Sequence, residues 1–299
     1  MKVSVIIVSY NFEKWIDRCL GSLRRSTYPV SVIVVDNGSK DKTTQIIEKN
    51  YPEVHLIKTG TNLGFGKANN IGIRCAMEQG ADYFFLLNQD AWISEKTVKT
   101  LLTLFEEHPK YGILSPTHLN GKGDKLDFGF STYSGMNGKE DFTNMQNNHE
   151  VVTLKFINAA FWMISLQTIK KVGGFSPLFY HYGEDIDYIN RLHYHGLQLG
   201  YSPHVFGYHD RESREVTRAD FLRSERVFHL SEYANINYTF SQAFGYGVLA
   251  TVKKAMQALF KGKIANSFAF INMGFKLLCN TTQVRHIRTK NKKEALNYI

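Results

Sequence analysis

Tyr83-Phe84-Phe85-Leu86-Leu87-Asn88-Gln89-Asp90 is the stretch on which the reading of this chain turns. Five apolar residues run without alternation into three polar ones. A short uninterrupted apolar run suits a strand buried on both faces, as in a parallel sheet covered by helices. Open α/β sheets bind ligands outside the carboxyl ends of their strands. Asp90 stands at such an end, which makes it a candidate for holding a metal ion beside a diphosphate. From position alone, a loop residue or a helix cap is the alternative.

The flanking sequence repeats the same grammar. Val3–Val8 reads as a first strand, followed by the turn Ser9-Tyr10-Asn11, with Asn11 placed to cap a helix through Trp15, Ile16, Cys19, Leu20 and Leu23. Val30–Val35 is a β-branched second strand ending in the polar cluster Asp36-Asn37-Gly38-Ser39-Lys40-Asp41. Val54–Lys58 is a third, running into Asn62-Leu63-Gly64-Phe65-Gly66, whose glycines permit close approach of the backbone to a ligand. After Asp90, Ser94 is placed to cap a helix, and Ile113–Pro116 is a short strand. Thr117 to about Glu150 is a polar loop or irregular hairpin of the kind that forms lids. Phe156–Ser165, Leu199–Tyr201 and Val205–Tyr208 are strand-like, with a helix over Leu166–Val172 and another opened by Tyr182-Gly183-Glu184-Asp185-Ile186-Asp187. Alternating strands and helices predict a Rossmann-like, doubly wound, mostly parallel sheet.

Composition sets the bounds. A chain of 299 residues with 43% hydrophobic and 21% charged residues is globular rather than disordered. Cys19, Cys75 and Cys279 are too few and too scattered for a disulfide framework or a zinc site. No run reaches the roughly 20 apolar residues of a transmembrane helix. The opening strand is too short for a signal h-region, so the expected location is the cytoplasm. The net charge of +9 lies entirely beyond Thr251, where ten basic residues face the single acid Glu294. The chain therefore divides into a domain over 1–214 and a basic helical extension over 215–299.

Four polar clusters, Ser9–Asn11, Asp36–Asp41, Asn88–Asp90 and Glu184–Asp187, can share one cleft if the strand ends converge. Neither a P-loop nor a GxGxxG fingerprint is present. The motifs do resemble those of family 2 glycosyltransferases of the GT-A fold, nearest the bacterial rhamnosyltransferase-like branch. The resemblance is carried by Val5–Asn11, Val34–Asp41, Asn62–Asn70, Leu86–Asp90, Val172–Phe175 and Tyr182–Asp187 with Arg191, in order from Met1 to about His209. It implies transfer, with inversion, of a sugar from a dTDP- or UDP-sugar to a hydroxyl of a glycan or lipid-linked glycan, in cell-surface polysaccharide synthesis. It further implies that Ser9, Asn11, Asp36, Ser39, Asp41, Gly64, Asn69 and Asn88 meet the nucleotide. Asp90 and His209 would hold Mn²⁺ or Mg²⁺, Asp185 would be the general base, and Trp162 and Glu184 would meet the acceptor.

Elementary chemistry agrees with such an arrangement. A hard cation stabilises a leaving diphosphate, and inversion needs a base on the opposite side of the sugar carbon. Two adjacent acids at Glu184-Asp185 can raise one another's pKa, although an acidic first helical turn is also what a helix dipole favours. Trp162 reads equally as packing or as acceptor contact. The pattern departs from the family's DxD, which here is Asn88-Gln89-Asp90 and leaves Asp90 as the only carboxylate. A non-catalytic sugar-nucleotide or glycan-binding protein of the same fold is the alternative function.

The tail carries an apolar helical face through Val248, Val252, Ala255, Met256, Leu259 and Phe260 beside lysines. A basic helix with an apolar face seeks an anionic membrane surface. Packing on its own domain or on a second copy of the chain, as a homodimer, is the alternative. No nucleic-acid module accompanies the basic residues, and no nucleic-acid partner is expected.

Overall fold

The computed structural model describes residues 1–136, 143–144, 146–147, 150–211 and 217–299. The first strands, β1 (Val3–Ser9), β2 (Ser31–Asp36), β3 (His55–Lys58) and β4 (Tyr83–Leu87), lie parallel in the order β3-β2-β1-β4. The helices α1 (Ile16–Arg24), α2 (Thr43–Asn50) and α3 (Phe65–Glu78) connect them. Side chains of β4 divide between two cores. Phe85 and Leu87 pack with Val5, Ile7 and Leu20 on one face, and Phe84 and Leu86 with Ile6, Val35 and Ile73 on the other. A strand covered on both faces has no solvent side, which is why its sequence does not alternate.

Beyond β4 come β5 (Ala91–Ile93), α4 (Thr97–Glu107), β6 (Tyr111–Asn120), α5 (Phe128–Ser134), β7 (Val152–Leu154), β8 (Phe161–Ser165), α6 (Leu166–Val172), α7 (Glu184–Tyr194) and β9 (Gln198–His209). The sheet continues β4-β8-β6-β9-β5, with β7 on β9, and has nine strands among the described residues. Among the described residues of this half, only β6 and β9 are parallel. The sheet is therefore mixed, where the sequence predicts a mostly parallel one. β5 and β8 are entered through irregular segments instead of crossover helices, so they are free to pair antiparallel. The two short strands expected near Leu199 and Val205 merge into the single β9. Of the polar loop or irregular hairpin expected from Thr117 to about Glu150, the first residues prolong β6, Leu119 bridges Leu126 antiparallel, α5 follows, and much of the remainder lies outside the described residues.

Two expected caps serve elsewhere. α1 begins at Ile16 and α4 at Thr97, each without a side-chain cap. Asn11 Oδ1 instead accepts from the Lys40 N–H, tying the β1 and β2 loops together, and Ser94 Oγ accepts from the Phe206 N–H.

From Arg218 onward the chain is helical: α8 (Arg218–Ala234), α9 (Phe240–Phe244), a π-helical turn over Gly245–Leu249, α10 (Ala250–Phe260), α11 (Ile264–Cys279) and α12 (Thr281–Asn291). The boundary expected at 214/215 lies outside the described residues. These helices enclose a third core around Tyr233, Val248, Ala255, Phe270, Met273 and Leu277. Arg288 is buried and donates to the carbonyls of Tyr233, Asn235 and Tyr238, so one of the ten tail cations is structural. The chain end returns to the first domain, where Asn297 O accepts from Gly174 N at 2.7 Å. Among the described residues no helix is long and apolar enough to cross a membrane.

The tail's expected single apolar face splits in two. Val248 and Ala255 are buried, whereas Val252, Met256, Leu259 and Phe260 are 49–85% exposed. The exposed row continues along α11 through Ile264, Phe268, Ile271, Phe275 and Leu278.

Candidate active site

The carboxyl ends of β1, β2 and β4 open on one edge of the sheet, as parallel strands require. A cleft of about 500 Å³ lies there, lined by Tyr10, Asn37, Asn88, Gln89 and Asp90 from the strand ends, Glu184 and Asp185 from α7, and Arg211 after β9. All four polar clusters expected to converge therefore contribute to one site. Gln89 fixes the floor: its side chain accepts from Tyr10 N at 2.7 Å and donates to Tyr10 O at 3.1 Å.

Register brings Asp90 and His209 together. β5 pairs antiparallel with β9 so that Ala91 faces His209, and Asp210 N donates to Asp90 O at 2.8 Å. His209 is 2% exposed, its Nε2 lying 3.3 Å from Asp90 Oδ1 and 3.5 Å from the Asn88 amide. Its Nδ1 lies 3.6 Å from a carboxylate oxygen of Asp127. Asp127 also caps α5 by accepting from Phe130 N at 3.0 Å. Burial opposes a charge on His209, but Asp127 and Asp90 outweigh it and hold the imidazole pKa above its ordinary value. Burial likewise opposes the charge of Asp127, and His209 and Arg211 outweigh it, so this carboxyl sits down at about 2. An imidazole between two carboxylates is a place built for positive charge. A carboxylate on one ring nitrogen orients the other towards a metal ion, and an oxygen–nitrogen donor pair suits Mn²⁺ or Mg²⁺. The residues fit the cation expected from the sequence.

Across the cleft, Glu184 and Asp185 open α7. Burial pushes Glu184 up to about 7, with a smaller contribution from the Asp185 charge. Burial pushes Asp185 up to about 6 against its bond from Ile186 N and the pull of Arg211. Desolvation, more than mutual repulsion, is what tunes this pair. Glu184 Oε2 is buried and makes no hydrogen bond among the described residues. Gly183, just before the helix, has φ +90°, and a side chain there would collide with Phe179 and Val227.

The residues expected at the nucleotide are distributed less evenly. Asn88 lines the cleft. Asp36 is buried behind Asn37, its carboxylate accepting from Ser9 Oγ at 3.2 Å and from the backbone and hydroxyl of Ser39. Asn11 N donates to Ser39 Oγ, and Asp41 accepts from Glu13 N and Thr43, so these residues form one lattice at the β1 and β2 ends. Gly64 is required for a different contact than a ligand's: at φ +82°, an added Cβ would stand 2.2 Å from the Tyr180 carbonyl. Asn69 is buried within α3 and donates to the carbonyl of the cleft-lining Phe65, and is not itself among the residues that line the cleft. Trp162 is also corrected: its register against Leu86 turns it into the core, fully buried between Phe175 and Tyr188, with its indole N–H spent on Ile157 O.

Sequence reading missed Asp127 and Arg211, and took Asn37 only as a member of the Asp36–Asp41 cluster. The signal for Asp127 was its capping position before Phe128-Gly129-Phe130, obscured because the segment reads as loop. A separate group, Glu107, His108 and Glu150, brings its ligand atoms within 4.8 Å of one another, but it lies outside the cleft and two of its members are exposed.

Comparison with known proteins finds similarity to glycosyltransferases in both sequence and fold. The chain is 26% identical over 223 residues to the N-acetylglucosaminyl-diphospho-decaprenol L-rhamnosyltransferase of Mycobacterium tuberculosis, covering 67% of this chain and 73% of that protein. It is 36% identical over 104 residues, a third of each chain, to the dTDP-rhamnosyl transferase RfbF of Shigella flexneri. The fold is similar to that of Staphylococcus aureus TarS 1–349 in complex with UDP-GlcNAc, with TM-score 0.55, 17% identity and coverage of 98% and 88% of the two chains. It is also similar to the mannosyltransferase PcManGT of Pyrobaculum calidifontis in complex with GDP-Man and Mn²⁺, with TM-score 0.58, 15% identity and coverage of 92% and 87%. The sequence model of glycosyl transferase family 2 matches residues 4–172, and the chain, a GT-A-fold enzyme that takes its sugar from a nucleotide donor, belongs to that family.

Proposed function

We propose that the chain transfers a sugar, with inversion, from a dTDP- or UDP-sugar to a hydroxyl of a lipid-linked glycan, in building a cell-surface polysaccharide. The observation that carries this is the placement of Asp185 and Asp90 as lining residues of one cleft. Asp185, with a pKa near 6, is largely ionised at neutral pH yet basic enough to take a hydroxyl proton. Glu184 Oε2 accepts a hydrogen bond from the acceptor sugar and Arg211 counters charge on the leaving side. Asp90 and His209 hold Mn²⁺ or Mg²⁺, which when bound supplies Lewis-acid stabilisation of the leaving diphosphate. The nucleotide lies over the β1–β2 ends, where Asn11, Ser39 and Asp41 reach the surface and Asp36 anchors them.

A screen of nucleotide sugars for release of nucleoside diphosphate tests this. A dTDP- or UDP-sugar is expected to turn over with Mn²⁺ or Mg²⁺ and to lose at least about 100-fold in rate when the cation is chelated, several kcal/mol of charge stabilisation being removed. Equal rates in chelator would remove the metal from the mechanism.

Residues 1–214 form the transfer domain in this proposal, and 215–299 dock it peripherally on the cytoplasmic face of the membrane. The exposed apolar row on α10 and α11 lies beside Lys253, Lys261, Lys263 and Lys276, a composition for an anionic bilayer surface. Vesicles containing anionic lipid are expected to float the protein. Phe260→Ser with Phe268→Ser is expected to weaken binding more than tenfold, since each ring is worth roughly 1.5–3 kcal/mol on burial. A stable dimer in lipid-free sedimentation that is lost with the same two substitutions would instead assign this face to self-association.

A further inference from the structure

We propose that the diphosphate of the lipid-linked acceptor, with the first part of its lipid, occupies a cavity between α8 and α11 that communicates with Asp185 past Arg223. This rests on the reading that the acceptor is lipid-linked. Three spaces share lining residues in sequence. The catalytic cleft shares Tyr182 and Asp185 with a groove of about 440 Å³ walled by Phe156, Ile186, Val227 and Phe228. That groove shares Arg223 with a cavity of about 730 Å³ lined by Leu222, Leu230, Met273, Phe275, Arg226 and Lys276. Phe275 is in turn 65% exposed and belongs to the apolar row of α11.

The chemistry changes along this path in a definite order. At Asp185 there is a base. In the groove there are aromatic faces, which suit the apolar faces of a sugar ring. At the cavity there are three cations, and among the described residues no acid lines it. Arg223 pairs with the exposed Asp220 at 3.1 Å and also faces the Tyr182 ring, while no described acid pairs with Arg226 or Lys276. Hydroxyl, sugar, diphosphate and lipid follow one another in the same order in a lipid-linked glycan. The three cations are exposed and stand beside apolar walls, an arrangement that favours an amphiphilic anion: a cation is repelled, and a fully hydrated anion gains nothing from Leu222, Leu230 and Met273. Arginine is also the side chain whose donor fork matches phosphate oxygens.

Farnesyl diphosphate is the probe, titrated calorimetrically into the full chain. It is expected to bind at least about tenfold more tightly than farnesol or inorganic diphosphate, and to resist displacement by UDP or dTDP. Arg226→Gln combined with Lys276→Gln is expected to weaken it about ten- to hundredfold, the range for charged hydrogen bonds, and to leave nucleotide binding unchanged. Ala269→Phe, which fills the cavity without altering charge, is expected to weaken it as well. Displacement by UDP, equal affinity for inorganic diphosphate, or unchanged affinity in both variants overturns the proposal. Two combinations separate this failure from that of the reading beneath it. Transfer to lipid-linked glycans with a KM indifferent to both variants refutes the cavity alone. Transfer only to water-soluble glycans, with farnesyl diphosphate still held by Arg226 and Lys276, refutes the lipid-linked acceptor.

Discussion

Asp185→Asn is expected to slow sugar transfer by about 10²–10⁴-fold, the usual worth of a positioned general base, while nucleotide-sugar affinity changes less than about twofold. Asparagine keeps the shape and the bond from Ile186 N but cannot take a proton. In the parent protein, kcat/KM should rise with pH through a midpoint near 6, because the ionised form is the active one and burial has raised the carboxyl to that value. In the variant that limb should disappear. Stability should move the other way. A carboxyl raised in the folded state binds its proton more tightly folded than unfolded, so its stabilising contribution is complete below pH ~4 and is lost as pH rises through about 6. At pH 8 the charge on this half-buried carboxylate costs on the order of 1–2 kcal/mol, and Asp185→Asn should recover much of it in denaturant unfolding. An inactive variant that is also less stable at pH 8 would count against Asp185 as a desolvated base. Normal turnover would remove it from that role altogether.

How much of this was legible in the sequence depends on the distance over which each residue is determined. β4 was legible because burial on both faces imposes a continuous apolar run, a local signature. Asp90 was legible because it ends that run. Asp127 was not: besides capping α5, it matters to the site through contact with His209, which is 82 residues away and is set by the packing of α5 against β6 and β9. Trp162 was ambiguous because apolar runs do not state which face they present, and the β4–β8 register decides it. The mixed half of the sheet was hidden for the same reason, since strand direction is a property of connections and not of strand composition. In the tail, helical periodicity was plain, but Val248 and Met256 look alike until a second helix covers one and not the other.

The motif residue Arg191 presents the opposite case, legible in sequence but with a structural office. It is 1% exposed and its guanidinium makes three bonds: to Asp187 Oδ2 at 2.9 Å, to Val172 O at 2.7 Å and to Gly174 O at 2.8 Å. These bonds clamp α7, which carries Glu184 and Asp185 in its first turn, to the end of α6. Asn70 continues the clamp to α3 by exchanging hydrogen bonds with both backbone groups of Phe175. Arg191→Met would leave a buried carboxylate without its partner and two carbonyls without donors. Breaking such a pair from one side typically costs about 3–5 kcal/mol, which for a chain of this size corresponds to a fall in Tm of roughly 6–20 °C. Arg191→Lys should recover only part of this, because one ammonium cannot reproduce a planar fork aimed at three acceptors. Asp187→Leu combined with Arg191→Met should be markedly more stable than Arg191→Met alone, because the cost lies in the orphaned charge more than in the lost attraction. A double variant no more stable than the single one would shift the cost to the carbonyls of Val172 and Gly174. It would make the arginine a backbone clamp first and an ion-pair partner second.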